Sequence, residues 1–141
     1  MRNSIGLVGA VGLVGWLASA HAQAPAPAAA SAAFDGTYRV VSSANVNQTF
    51  TDKNGRSGPC PNRKPGPIHI ANGLARYTTS TGYKIRGTVS PQGELSMQVL
   101  APGGSRPLSM TVSGNIDNTG TVRVRQTSNA CSYDFVWQKA S

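Results

Sequence analysis

Polar and apolar residues alternate with a period of two through most of the chain after Phe34, and no stretch there keeps the longer apolar period of a helix. The alternation is clearest in Cys131-Ser132-Tyr133-Asp134-Phe135-Val136-Trp137-Gln138, where Cys131, Tyr133, Phe135 and Trp137 fall on one face. It also groups Leu95, Met97 and Val99, then Leu108, Met110, Val112 and Ile116, then Val122 and Val124. The intervening residues are polar: Lys84 and Arg86, Ser96 and Gln98, Ser109, Thr111 and Ser113, and Arg123 and Arg125. Strands with one wet face belong to antiparallel sheets. The pattern therefore predicts an all-β domain.

Turn signals divide this pattern into hairpins. Gly87-Thr88-Val89-Ser90-Pro91-Gln92-Gly93-Glu94-Leu95 and Gly114-Asn115-Ile116-Asp117-Asn118-Thr119-Gly120-Thr121-Val122 repeat one design at an offset of 27 residues. If Val89 faces Leu95 and Ile116 faces Val122, each five-residue turn places glycine fourth, where a left-handed backbone is needed. Ala71-Asn72-Gly73 marks a shorter hairpin and Pro102-Gly103-Gly104-Ser105 another connection, whereas Thr51 to Gly66 shows no strand pattern. About eight sequence-adjacent strands fit a small antiparallel up-and-down meander barrel, because closure removes exposed edges; a two-sheet β-sandwich is the alternative. The expected inward set is Tyr38, Val40, Ile68, Ile70, Tyr83, Ile85, Met97, Met110, Phe135 and Trp137. It is bulky enough to fill an eight-stranded barrel without a deep ligand cup.

Residues 1–22 read as a signal peptide: Arg2 precedes an apolar run from Ile5 to Ala18, too short to span a bilayer, and Ala20-His21-Ala22 is a small-x-small cleavage site. Residues 23–33 form an Ala/Pro-rich linker and residues 34–141 a single β-domain. Export, to the periplasm or beyond the cell, makes a bond between Cys60 and Cys131 the expected state of the chain's only two cysteines. Thirteen Lys and Arg against five Asp and Glu give +8; loss of Arg2 with the signal leaves twelve against five, or +7. That balance favours anionic partners such as an acidic glycan, a lipid head group or an acidic protein.

The opening Phe34-Asp35-Gly36-Thr37-Tyr38, the Gly87–Leu95 hairpin and the closing Ala130-Cys131-Ser132-Tyr133-Asp134-Phe135-Val136-Trp137-Gln138-Lys139 resemble a group of small exported bacterial all-β proteins whose activity is unassigned. The resemblance implies export and a β-fold. The plan as a whole is more loosely similar to lipocalin, avidin and periplasmic protease-inhibitor barrels, and that likeness implies architecture only.

Groups able to carry catalysis are few. His69 lies between Ile68 and Ile70 and so points outward, no second histidine or cysteine stands at a metal-ligand spacing, and Asp35, Asp52, Glu94, Asp117 and Asp134 lie mostly beside turns. The expectation is a binding module without catalytic residues, metal or cofactor. Thr51 to Gly66 carries Lys53, Arg56, Arg63 and Lys64 against Asp52 alone and would be pinned by Cys60, so these four cations are the candidate anion site. A secreted hydrolase inhibitor is the alternative reading and a carbohydrate-active enzyme a third. Nucleic acid is disfavoured, since few aromatics remain for a stacking platform.

Overall fold

The computed structural model describes residues 32–99 and 109–141. The signal assignment, residues 23–31 of the linker, Leu108 and the Pro102–Ser105 connection lie outside the described residues. Ala32–Phe34 forms a single 3₁₀ turn. The strands are β1 (Gly36–Asn45), β2 (Thr49–Thr51), β3 (Ser57–Pro59), β4 (Ile68–Ala71), β5 (Leu74–Thr78), β6 (Lys84–Val89), β7 (Glu94–Val99), β8 (Met110–Ile116), β9 (Thr121–Ser128) and β10 (Ser132–Lys139). Eight of them close an antiparallel barrel in the order β1-β10-β9-β8-β7-β6-β5-β4, with β1 returning to β4 through Gly36–Ile70, Thr37–His69 and Tyr38–Ile68. The barrel and not the sandwich is the fold.

The segment from Thr51 to Gly66, expected to lack strands, contains β3 and the last residue of β2, and the two strands pair as a separate two-stranded sheet. Its turn is built by Asp52, whose Oδ1 accepts from the amides of Asn54 and Arg56 at 2.9 Å each. A short carboxylate that satisfies two backbone donors makes a tight turn without flanking hydrophobic alternation. That local bonding formed strands where the periodicity gave no sign of them.

The repeated hairpins have the expected register, with Val89 opposite Leu95 and Ile116 opposite Val122. Gly93 and Gly120 take φ of 86° and 76°, a region that side chains bearing a Cβ resist. Ser90 Oγ accepts from the amides of Gln92 and Glu94, and Asp117 Oδ1 from those of Thr119 and Thr121, so the two turns share one bonding scheme. At this end of the barrel the turn carbonyls reach the next strand along. Gly73 O accepts from Val89 N, Gly93 O from Ile116 N and Gly120 O from Lys139 N, each at 2.8 Å.

The interior is packed around an aromatic column on β10. Trp137 is fully buried, its ring 5.5 Å from both Phe135 and Tyr77, and its Nε1 donates to Gly66 O at 3.0 Å. Tyr133 stacks on Phe135 at 5.8 Å. Burying aromatic rings with an edge-to-face neighbour adds to their transfer energy, and the indole proton is satisfied. Two residues of the expected inward set differ. Tyr83 is 37% exposed because it precedes β6 at the rim, and Val40 is only half-buried because a register shift between Val40 and Ser42 breaks the alternation of β1. Among the described residues the interior also leaves a cavity of about 400 Å³ at the mouth bordered by Met110, Gln126 and Tyr133.

Three carboxylates pair with exposed arginines: Asp52 with Arg56 at 2.8 Å in the β2–β3 turn, and Asp117 with Arg123 at 3.0 Å and Asp134 with Arg125 at 2.8 Å on the barrel. The Thr119 hydroxyl, the Thr121 amide and the Arg123 guanidinium together hold the Asp117 carboxyl well below the usual carboxylate range. A carboxyl whose pKa is depressed by folding contributes stability above the unfolded value of about 4 and loses it as pH falls toward the folded value. Urea unfolding of Asp117→Asn beside the parent should show a deficit at pH 7 that shrinks on acidification. A deficit independent of pH would contradict this.

Candidate anion-binding site

The four candidate cations lie on two parts of the segment. The β2–β3 turn carries Lys53 and Arg56, and Arg56 Nε is already engaged by Asp52 Oδ2 at 2.8 Å. Arg63 and Lys64 lie beyond Cys60, where together with Asn62 and residues Val40 to Ser43 of β1 they border a shallow groove of about 380 Å³. Ser43 Oγ donates to Arg63 O. Arg63 is half-buried and also borders the cavity at the barrel mouth; Lys64 is exposed.

Cys60 is bonded to Cys131, as expected. Two asparagines that the sequence did not single out reinforce this clamp. Asn45 Nδ2 donates to Cys60 O at 2.7 Å, and Asn47 bridges the strands, donating to Ala130 O at 3.0 Å and accepting from Ser132 N at 2.7 Å. The clamp fixes where the β2–β3 excursion leaves and rejoins the barrel. It does not bring Lys53 or Arg56 to the Arg63 groove.

A denser set of cations lies on the outer wall of β4, β5 and β6. Register places His69 opposite Arg76, Arg76 opposite Arg86, and Thr78 opposite Lys84. All four basic side chains are exposed. Like charges facing each other across antiparallel strands destabilise a sheet, because their Cβ atoms are only about 5 Å apart. On β9 the protein offsets its strand arginines with carboxylates, at Arg123 and Arg125. Here it does not: none of the chain's five carboxylates, Asp35, Asp52, Glu94, Asp117 and Asp134, belongs to β1, β4, β5 or β6. Among the described residues, Arg76, Lys84 and Arg86 have no ion-pair partner.

No family model, curated protein or solved structure matches the chain. The site is therefore defined by its own geometry. A groove of about 310 Å³ runs along the wall between Gly66, Pro67 and His69 on one side and Arg76, Lys84 and Arg86 on the other. The Thr37 hydroxyl engages His69 Nδ1 at 3.0 Å, so the ring is held with Nε2 unbonded among the described residues. Two guanidiniums, one ammonium and one imidazole thus share a groove with no carboxylate. Arg forks fit phosphate, sulfate or carboxylate oxygens bidentately, and the ammonium adds a point charge. Lys84 and Arg86 were legible as outward residues, but their convergence with Arg76 depends on strand pairing.

Among the described residues no group of three His, Cys, Asp or Glu could hold a metal ion. No described helix is long and apolar enough to cross a membrane.

Proposed function

We propose that this chain is an exported, non-enzymatic binding module that docks an anionic surface, glycan or lipid head group on the outer wall of β4–β6, with Arg63 and Lys64 as a secondary contact. The observation that carries the reading is the Arg76–Arg86 cross-strand pair, a like-charge juxtaposition maintained on a wall without a carboxylate. An anion lying across both guanidiniums would relieve their repulsion, so bound and free states differ by the repulsion removed as well as by the attraction gained. The cations are spread over three adjacent strands, which suits a surface or an extended chain better than a compact molecule.

The test measures binding to vesicles of phosphatidylglycerol with phosphatidylcholine and, separately, to polygalacturonate, so that the two sources of anion are distinguished. Each basic residue near an anionic surface is worth about 1 kcal/mol, so Arg76→Gln combined with Arg86→Gln should weaken binding roughly 30-fold. Arg123→Gln combined with Arg125→Gln removes the same charge from a wall where both arginines are paired, and the loss should be several-fold smaller. Affinity should fall steeply as screening shortens between about 0.05 and 0.5 M salt. Equal losses in the two double variants would reduce the effect to net charge, and no binding to either probe at low salt would remove the reading.

A further inference from the structure

The mouth of the barrel holds an amide of which the fold uses only the oxygen. Gln126 is 4% exposed and continues the inward face of β9 after Val122 and Val124, in a position otherwise occupied by hydrophobic side chains. Its Oε1 accepts from Tyr77 Oη at 2.6 Å. Burial pushes the Tyr77 phenol up, so it stays protonated at any physiological pH, and its proton has no other acceptor among the described residues. Tyr77 therefore donates, and the amide presents its N–H groups on the other side. Gln126 Nε2 has no partner among the described residues. Nε2 is not sealed from solvent, since among the described residues Asp35 Oδ1 is the one buried side-chain polar atom without a partner, so a ligand acceptor there would take the place of water.

Gln126 borders the cavity of about 400 Å³, within the range of roughly 300–1,000 Å³ typical of small-ligand sites. Phe135, Tyr133 and Met110 supply apolar wall, and Arg63 reaches the same space from the disulfide-clamped segment. The Arg63 guanidinium has no ion-pair partner among the described residues. Donor, apolar wall and cation thus surround one space, on a different part of the barrel from the cationic wall.

We propose that the barrel mouth is a second, small-molecule site that takes an aromatic carboxylate bearing a further hydrogen-bond acceptor. The ring lies against Phe135, Tyr133 and Met110, the carboxylate meets Arg63, and the acceptor takes the hydrogen bond that Gln126 Nε2 offers. This site does not depend on the wall of β4–β6, and either can fail alone.

The probe is 4-acetylbenzoate, titrated into the uniformly labelled full protein and followed by NMR at the Met110 methyl and the Gln126 side-chain amide. The comparison ligand is 4-isopropylbenzoate, which has the same shape and carboxylate but no acceptor. The acetyl compound should shift both signals and bind several-fold more tightly than the isopropyl one, the net scale of one hydrogen bond of about 1 kcal/mol. Arg63→Gln, at a site outside the core, should weaken both ligands by about tenfold. Gln126→Met should remove the preference between the two ligands, and because wild type and Arg63→Gln carry the test independently, a poorly folded Gln126 variant does not weaken it. Equal affinities of the two ligands for wild type would overturn the proposal. So would shifts confined to Arg76 and Arg86, or no shift at about 10 mM ligand, well above the millimolar binding expected of so small a molecule.

Discussion

Gly114→Ala is expected to lower the unfolding free energy by about 3 kcal/mol or more, a large part of what a domain of this size has. Gly114 stands in the middle of β8, where a Cβ would come within 1.9 Å of Arg123 O and 2.6 Å of Val124 Cα. Both atoms are backbone of the neighbouring β9, so no rotamer change can make room and the strands would have to separate. Gly87, the matching residue of the first repeat, meets β7 in the same way, 2.0 Å from Ser96 O and 2.5 Å from Met97 Cα. Strands at a barrel corner approach more closely than a side chain permits, which is what an interior glycine in a strand provides. Urea unfolding beside Ser113→Ala, an exposed neighbour expected to stay within about 0.5 kcal/mol of the parent, separates this effect from general intolerance of β8. A Gly114→Ala protein within about 1 kcal/mol of the parent would show that the strands yield easily.

Removing the disulfide, as Cys60→Ala with Cys131→Ala, is expected to cost about 4 kcal/mol. Its 71-residue span constrains most of the unfolded domain, and loop-closure entropy for a span of that length is of this size. The folded state loses as well, since Asn45 and Asn47 are bonded to Cys60 itself or to the Ala130–Ser132 turn it holds. Denaturation of the parent with and without reductant gives the same quantity without mutation. Midpoints that coincide would mean the asparagines alone fix the segment.

How much of this was readable in the sequence depended on range. The repeated turns were readable because each is set by five adjacent residues, and their register followed from the position of glycine. The Asn72-Gly73 turn likewise fixes Ala71 against Leu74 and so His69 against Arg76. The turn from Thr79 to Tyr83 is set in the same way, with Gly82 fourth at φ of 88° and Thr79 Oγ1 accepting from the Tyr83 amide, so the facing of Arg76 and Arg86 was also written in five adjacent residues, although no Asn-Gly pair marks them. The four loop cations were grouped because they are neighbours in sequence; in the structure Arg56 is engaged by Asp52 within the β2–β3 turn, while Arg63 and Lys64 border the groove at β1. Gln126 sits in perfect alternation with Val122 and Val124, but its polarity hid its place inside the barrel.

The carbonyl links at the turns of Gly73, Gly93 and Gly120 change how the barrel can come apart. Each ties a hairpin to the first strand of its successor: the β4–β5 turn to β6, the β6–β7 turn to β8, and the β8–β9 turn to β10. In a linear repeat array, units meet only along their interfaces and can fray one at a time from an end. Here no hairpin can peel away without also releasing an amide that belongs to the next, and closure of β10 onto β1 leaves no terminal unit from which to begin. A chain assembled from near-duplicate pieces is thereby made to melt as one.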